Sequence, residues 1–196
     1  MITNRQAYKT YVREDLCAYG IKHLSIYRYL SDERLRFQLR LRKVEYYYNT
    51  TGRNPIKKLV YFILQVINHR LAIKLGFTVP MNVFESGLCL THWGTIIVSS
   101  HAKVGKNCRI HPSTCIGNHI GAPTIGNNVY IGPGAKIFGN ISIGNNVAIG
   151  ANAVVNKSFP DNVTIAGNPA RVISHKSSLE VGVYSAEFIE YIRNEK

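Results

Sequence analysis

The sequence predicts a mainly β protein, a parallel β-helix of six-residue repeats with an α-helical segment before it and a short helix after it. Three observations carry that expectation. Val98, Val104, Ile110 and Ile116 stand six apart, and after one nine-residue step Ile125, Ile131, Ile137, Ile143, Ile149 and Val155 resume the spacing. Gly follows six of those ten positions. The pentad Ile-Gly-Asn-Asn-Val occurs at 125–129 and again at 143–147, eighteen residues later.

Neither a helix, which repeats near 3.6, nor a flat strand, which repeats at 2, explains a period of six. A prism does, with short strands along flat sides and a turn at each corner. One β-branched residue per side then points inward and stacks on its neighbours. Gly and Asn suit the corners because both tolerate left-handed backbone. Eighteen is three sixes, so three sides make one coil.

Residues 1–76 read differently. Arg34–Glu45 and Ile56–Leu71 are rich in helix formers. Thr50-Thr-Gly-Arg-Asn-Pro55 separates them, with Pro55 suited to a first helical turn and Gly76 to a helix end. The expected division is a helical segment at 1–76, a β-helix domain at 77–173 and a tail at 174–196. The tail reads as loosely attached, with a short helix near Ser185–Arg193 that packs on a neighbour or frays.

The chain has 196 residues and a formal net charge of +13. Residues 1–76 hold fifteen Lys/Arg against five Asp/Glu, so most of the excess lies there. An anionic membrane face or an acidic glycan suits such a segment; no nucleic-acid-binding signature accompanies it. Lys57, Lys58, Arg70 and Lys74 flank an apolar centre, so the second long helix is a core helix, a trimer-contact helix or an interfacial membrane helix. No secretory leader is expected from the polar first residues, and Leu59–Ile67 is too short to span a bilayer. The four cysteines form no paired framework, which fits a reduced cytoplasmic protein.

Val98–Val155 resembles the hexapeptide-repeat acyltransferase superfamily, and residues from about 76 to 173 resemble its serine acetyltransferase branch and the related polysaccharide O-acetyltransferases. The resemblance implies a left-handed coil, a homotrimer, acetyl-CoA as cosubstrate without a metal, and active sites between neighbouring β-helices.

Within that resemblance, Gly87-Leu-Cys-Leu-Thr-His-Trp-Gly94 is similar to the family's stretch that carries the general base, here His92. An imidazole suits the task, since a hydroxyl must lose its proton as it attacks a thioester. Counting back six from Val98 lands on His92, so either the register slips there or the histidine interrupts the wall. Serine acetyltransferases orient the base with the Asp of an Asp-Ile-His-Pro stretch, but this chain has Phe77-Thr-Val-Pro80; Glu85 is the nearest carboxylate. His119, in the nine-residue step, is the second candidate, in a loop shorter than the family's. His111 reads as a structural corner residue. For the donor, the resemblance points to Gly132, Pro133, Gly134, Gly150 and Ala151 beside the pantetheine arm, to Asn156, and to Lys157 and Arg171 on the phosphates.

The expected activity is acetyl transfer to a hydroxyl, with a sugar of capsule or exopolysaccharide biosynthesis as acceptor, because of the missing Asp, the short loop and the basic segment. The alternative acceptor is serine. Alternatives of another class are a metal hydratase on the same fold, whose histidine spacing this chain lacks, and a non-catalytic trimeric scaffold.

Overall fold

A computed structural model describes residues 1–194. Four helices come first: α1 (Arg5–Ala18), α2 (Ile26–Ser31), α3 (Glu33–Thr50) and α4 (Pro55–Leu75). Fourteen short strands follow, and α5 (Ala186–Asn194) closes the chain. The strands wind into a parallel β-solenoid with three walls. The first wall stacks β1 (Phe77–Thr78), β3 (Ile96–Val98), β6 (Thr114–Ile116), β9 (Lys136–Ile137) and β12 (Val154–Val155). The second stacks β4 (Lys103–Val104), β7 (Thr124–Ile125) and β10 (Ser142–Ile143). The third stacks β2 (Cys89–Leu90), β5 (Arg109–Ile110), β8 (Tyr130–Ile131), β11 (Ala148–Ile149), β13 (Thr164–Gly167) and β14 (Ala170–Ser174). Every ladder is parallel except β13 with β14, which fold back on each other.

The ten lattice residues form the interior as the period predicts, and all are buried. Val98, Ile116, Ile137 and Val155 lie in register on the first wall, and Ile110, Ile131, Ile149 and Ile165 on the third. Each such side chain contributes roughly 1.5–3 kcal/mol by leaving water. Strands of two residues are too short to be stable alone; the stack makes them cooperative.

Asn fills one column of corners. Asn107, Asn128, Asn146 and Asn162, between second and third walls, all have positive φ. Their amides form a ladder from coil to coil, at 2.9, 2.8 and 2.8 Å. The corner thus uses the tolerance of Asn for left-handed backbone and its capacity to donate and accept at once.

The first coil has an open edge, which the helices close. Phe37 and Leu41 of α3, with Leu71 and Leu75 of α4, join the solenoid's core cluster. Arg42 is fully buried: Nε donates to Asp15 Oδ2 at 2.8 Å, Nη1 to Glu45 Oε2 at 3.0 Å, and the same guanidinium to the carbonyls of Phe84 (2.9 Å) and Glu85 (2.7 Å). Asp15 Oδ1 accepts from the amides of Gly87 (2.8 Å) and Leu88 (3.0 Å). A charged pair therefore satisfies edge groups that would otherwise invite another strand.

Pro55 begins α4 and Asn54 caps it, accepting from the Lys57 amide at 3.0 Å. Gly76 ends it at φ 77°. The tail is more firmly docked than the sequence implies. Tyr184 donates to the Asn107 carbonyl at 2.8 Å, and Phe188 and Ile192 of α5 pack with Ala18 and Cys89 over the third wall. Lys103, Thr124 and Ser142 leave the outer face of the second wall polar. No disulfide forms among the described residues.

Asp15→Ala removes one of the two carboxylates that neutralise the buried Arg42 and unsatisfies two amides, and loss of one partner of a buried pair costs about 3–5 kcal/mol. Urea unfolding is expected to show a loss of that size, whereas Lys103→Ala on the exposed second wall shifts the midpoint little.

Candidate active site

Leu90, fully buried and in register with Ile110, is the lattice residue that precedes Val98. Eight residues separate them instead of six, so the register slips and the wall is not interrupted. The surplus is extruded at the corner between third and first walls as His92-Trp93-Gly94-Thr95. Two ties fix the corner. Thr91 donates its amide to the Ile110 carbonyl at 3.1 Å, and the Gly94 amide reaches the Leu75 carbonyl, at the end of α4, at 3.0 Å. Gly94 has φ 125°, and an added Cβ would stand 3.1 Å from Pro112 Cβ, so a side chain fits poorly.

His92 is exposed on this corner. Its ring centroid lies 6.2 Å from that of His111, which lies 5.1 Å from that of Tyr130 on the next coil. His111, expected to be purely structural, is thus the half-buried ring on which His92 leans. Burial, then the Arg109 charge and His92, push the His111 pKa down to about 4, so His111 is neutral at pH 7. Beside His92, a cleft of about 490 Å³ is lined by Glu33, Ile73–Gly76 and Trp93–Thr95, with Lys74 Nζ 2.8 Å from Glu33 Oε1. Sequence reasoning missed Trp93, His111, Glu33 and Lys74 here. Only His111 carried a signal, since it follows the lattice residue one coil on from Leu90.

Glu85 is a correction. It follows Phe84, which bridges to Val104 on the second wall, and its carboxylate is taken by the Tyr11 hydroxyl and the Met1 nitrogen. Burial works to raise its pKa, but those hydrogen bonds hold it below the usual carboxylate range. Among the described residues the His92 ring makes no hydrogen bond to a carboxylate.

The remaining candidates, Arg171 excepted, fall into two columns at opposite edges of the first wall. Gly132, Pro133 and Gly134 lie below His111 on the His92 corner, where the Gly134 amide donates to the Pro112 carbonyl at 3.0 Å. Gly150 and Ala151 continue the column: the Asn152 amide reaches the Pro133 carbonyl at 2.8 Å. A Cβ on Gly132 would stand 2.7 Å from the Ile149 carbonyl oxygen, so coil stacking alone already demands glycine there. His119 lies on the other edge, between first and second walls, in an exposed loop where Ile120 takes φ 53°. Asn156 and Lys157 are two coils further along that edge, with Lys157 Nζ 5.6 Å from the Phe159 ring. Arg171 is exposed on β14, away from both columns in sequence and on the third wall. One chain therefore does not bring His92 and His119 to one point. Ile97, Cys115, Lys136 and Val154 face outward from the wall between them.

Comparison with known proteins agrees with this architecture. The family described as bacterial transferase hexapeptide (six repeats) matches residues 122–157. A serine acetyltransferase of Synechococcus elongatus is 39% identical over 128 residues, 61% of this chain and 51% of that protein. One of Helicobacter pylori is 30% identical over 127 residues, 60% of this chain and 72% of that protein. The crystal structure of a serine acetyltransferase in complex with coenzyme A from Brucella abortus superposes with a TM-score of 0.67 at 29% identity, covering 88% of this chain and 70% of that one. The chain spans about half the length of the Synechococcus protein.

The depressed His111 pKa has a consequence for stability. From pH 6.5 down to about 4 the unfolded chain binds a proton there that the folded chain refuses, so His111 makes stability fall with falling pH in that window. His111→Gln is expected to remove that part of the decline, read by urea unfolding at pH 7 and 4.5; ring NMR is expected to show His111 unprotonated at pH 5.5.

Proposed function

The chain belongs to the serine acetyltransferase family of hexapeptide-repeat acyltransferases, and from that premise we propose that it moves an acetyl group from acetyl-CoA to the hydroxyl of L-serine. The observation that carries the reading is an exposed imidazole, His92, at the head of a corner column of small residues in a chain of that family. Serine replaces the sugar acceptor expected from the sequence, because the relatives found are serine acetyltransferases. A sugar hydroxyl stays as the second reading on one observation: Phe77-Thr-Val-Pro80 lacks the expected carboxylate.

In the proposed reaction His92 accepts the hydroxyl proton while the oxygen attacks the thioester carbonyl. The carbon–oxygen bond forms, a tetrahedral oxyanion develops, and backbone N–H groups of the corner stabilise it. The carbon–sulfur bond then breaks, and the imidazolium returns its proton to the departing thiolate. No covalent enzyme intermediate is needed. His111, neutral and tilted against His92, flanks the ring without adding a second positive charge. Gly132–Gly134, Gly150 and Ala151 line the path of the pantetheine arm, Asn156 lies beside its thiol end, and Lys157 and Arg171 meet the phosphates.

A homotrimer completes the site in this reading. Threefold packing along the first wall sets the His92 column of one copy against the His119 column of the next. The cytoplasm, at the inner face of a membrane, is the location that goes with it. The hydratase alternative finds no set of three metal-binding side chains among the described residues.

With acetyl-CoA and L-serine, thiol release is expected to exceed that with sugar acceptors, and His92→Ala is expected to lower kcat by about 10²–10⁴ while coenzyme A still binds. Release at the uncatalysed rate by wild type and His92→Ala alike would favour the scaffold reading, and equal release above it would remove His92 from the role of base.

A further inference from the structure

Helix α4 is reversed for a helix at the edge of a globular protein. Its buried positions are Asn68, Leu71 and Leu75, whereas Ile56, Leu59, Phe62, Ile63, Val66 and Ile67 are exposed, Phe62 at 64%. Spacings of three and four put those six on one continuous stripe. Lys57 and Lys58 lie at one end of it and Arg70 at the other, while Lys74, one turn further on, is paired with Glu33. Surfaces of this apolar extent mark a docking site.

We infer that the outer face of α4 lies in the headgroup region of an anionic phospholipid bilayer, with the apolar stripe inserted and the flanking cations on the lipid phosphates. The inference rests on the membrane-face location proposed above and makes no use of acetyl transfer. Charge selects this occupant over a second copy of the chain. Helix α4 itself carries four basic side chains and no acidic one, so two such faces repel each other, whereas anionic lipid attracts either. The helix lies on the bilayer and does not cross it: no helix of the described residues is long and apolar enough to span one.

The test is sedimentation of the full chain with vesicles of phosphatidylcholine alone or mixed with phosphatidylglycerol, alongside sedimentation velocity without lipid. The wild type is expected to bind the anionic vesicles at least tenfold more tightly than the neutral ones. Two variants are each expected to weaken that binding at least tenfold: Phe62→Glu with Ile63→Glu, which breaks the stripe, and Lys57→Gln with Lys58→Gln and Arg70→Gln, which keeps it. Absence of vesicle binding, or binding undiminished in both variants, overturns the inference. So does a wild-type assembly that the Phe62→Glu, Ile63→Glu variant splits, since the stripe is then a contact between copies. Thiol release is measured separately, so failure here leaves the acetyl-transfer reading intact.

Discussion

Everything in the β-solenoid depends on one constraint: each inward Ile or Val must land on the one a coil below. Three walls of six residues satisfy it, and the two-residue strands have no other source of stability. The constraint also dictates what happens to surplus chain. Residues that do not fit the count cannot enter a wall without displacing a buried side chain, so they are extruded at a corner. Only two such extrusions interrupt the lattice after Leu90, and they carry His92 and His119. The packing rule that builds the fold therefore also presents two exposed imidazoles at its corners.

Stacking gives the corners a second property. Coils approach so closely that a Cβ on Gly132 would collide with the backbone of the next coil, and the corner becomes a smooth groove of peptide groups. A groove of that kind accommodates an extended chain such as a pantetheine arm, and the neighbouring rings of His92, His111 and Tyr130, tilted against one another, form its upper rim. The helices close the other end, where the Arg42–Asp15 pair ties α1 and α3 to the first coil. The Leu75–Gly94 hydrogen bond then connects the end of α4 to the His92 corner, so the helical segment both seals the solenoid and braces the site.

The lattice was legible because it is periodic, and the helix ends at Pro55 and Gly76 were legible because each residue acts locally. What stayed hidden is long-range. The two-residue slip at His92 shows only once Leu90 is seen paired with Ile110. Glu85 looked available because its claimant, Tyr11, stands 74 positions earlier in the chain. The docking of α5 depends on a face of the third wall that no local pattern announces, and the approach of His111 to His92 depends on where a corner turns. The hand of the coil came from resemblance, since a period of six does not set it, and the acceptor expected from the sequence was a sugar, since a lone imidazole serves a sugar hydroxyl and serine alike.

The central claim is that one working site draws on two copies of the chain, because His92 and His119 stand on opposite edges of one wall. Co-expression of His92→Ala and His119→Ala subunits tests it directly. Random mixing in a threefold assembly leaves about a quarter of the interfaces with both histidines intact. The account predicts that the mixed assemblies regain acetyl transfer at about that fraction of the wild-type rate, although each variant alone is impaired. Activity no higher than that of the two variants assayed separately would contradict it.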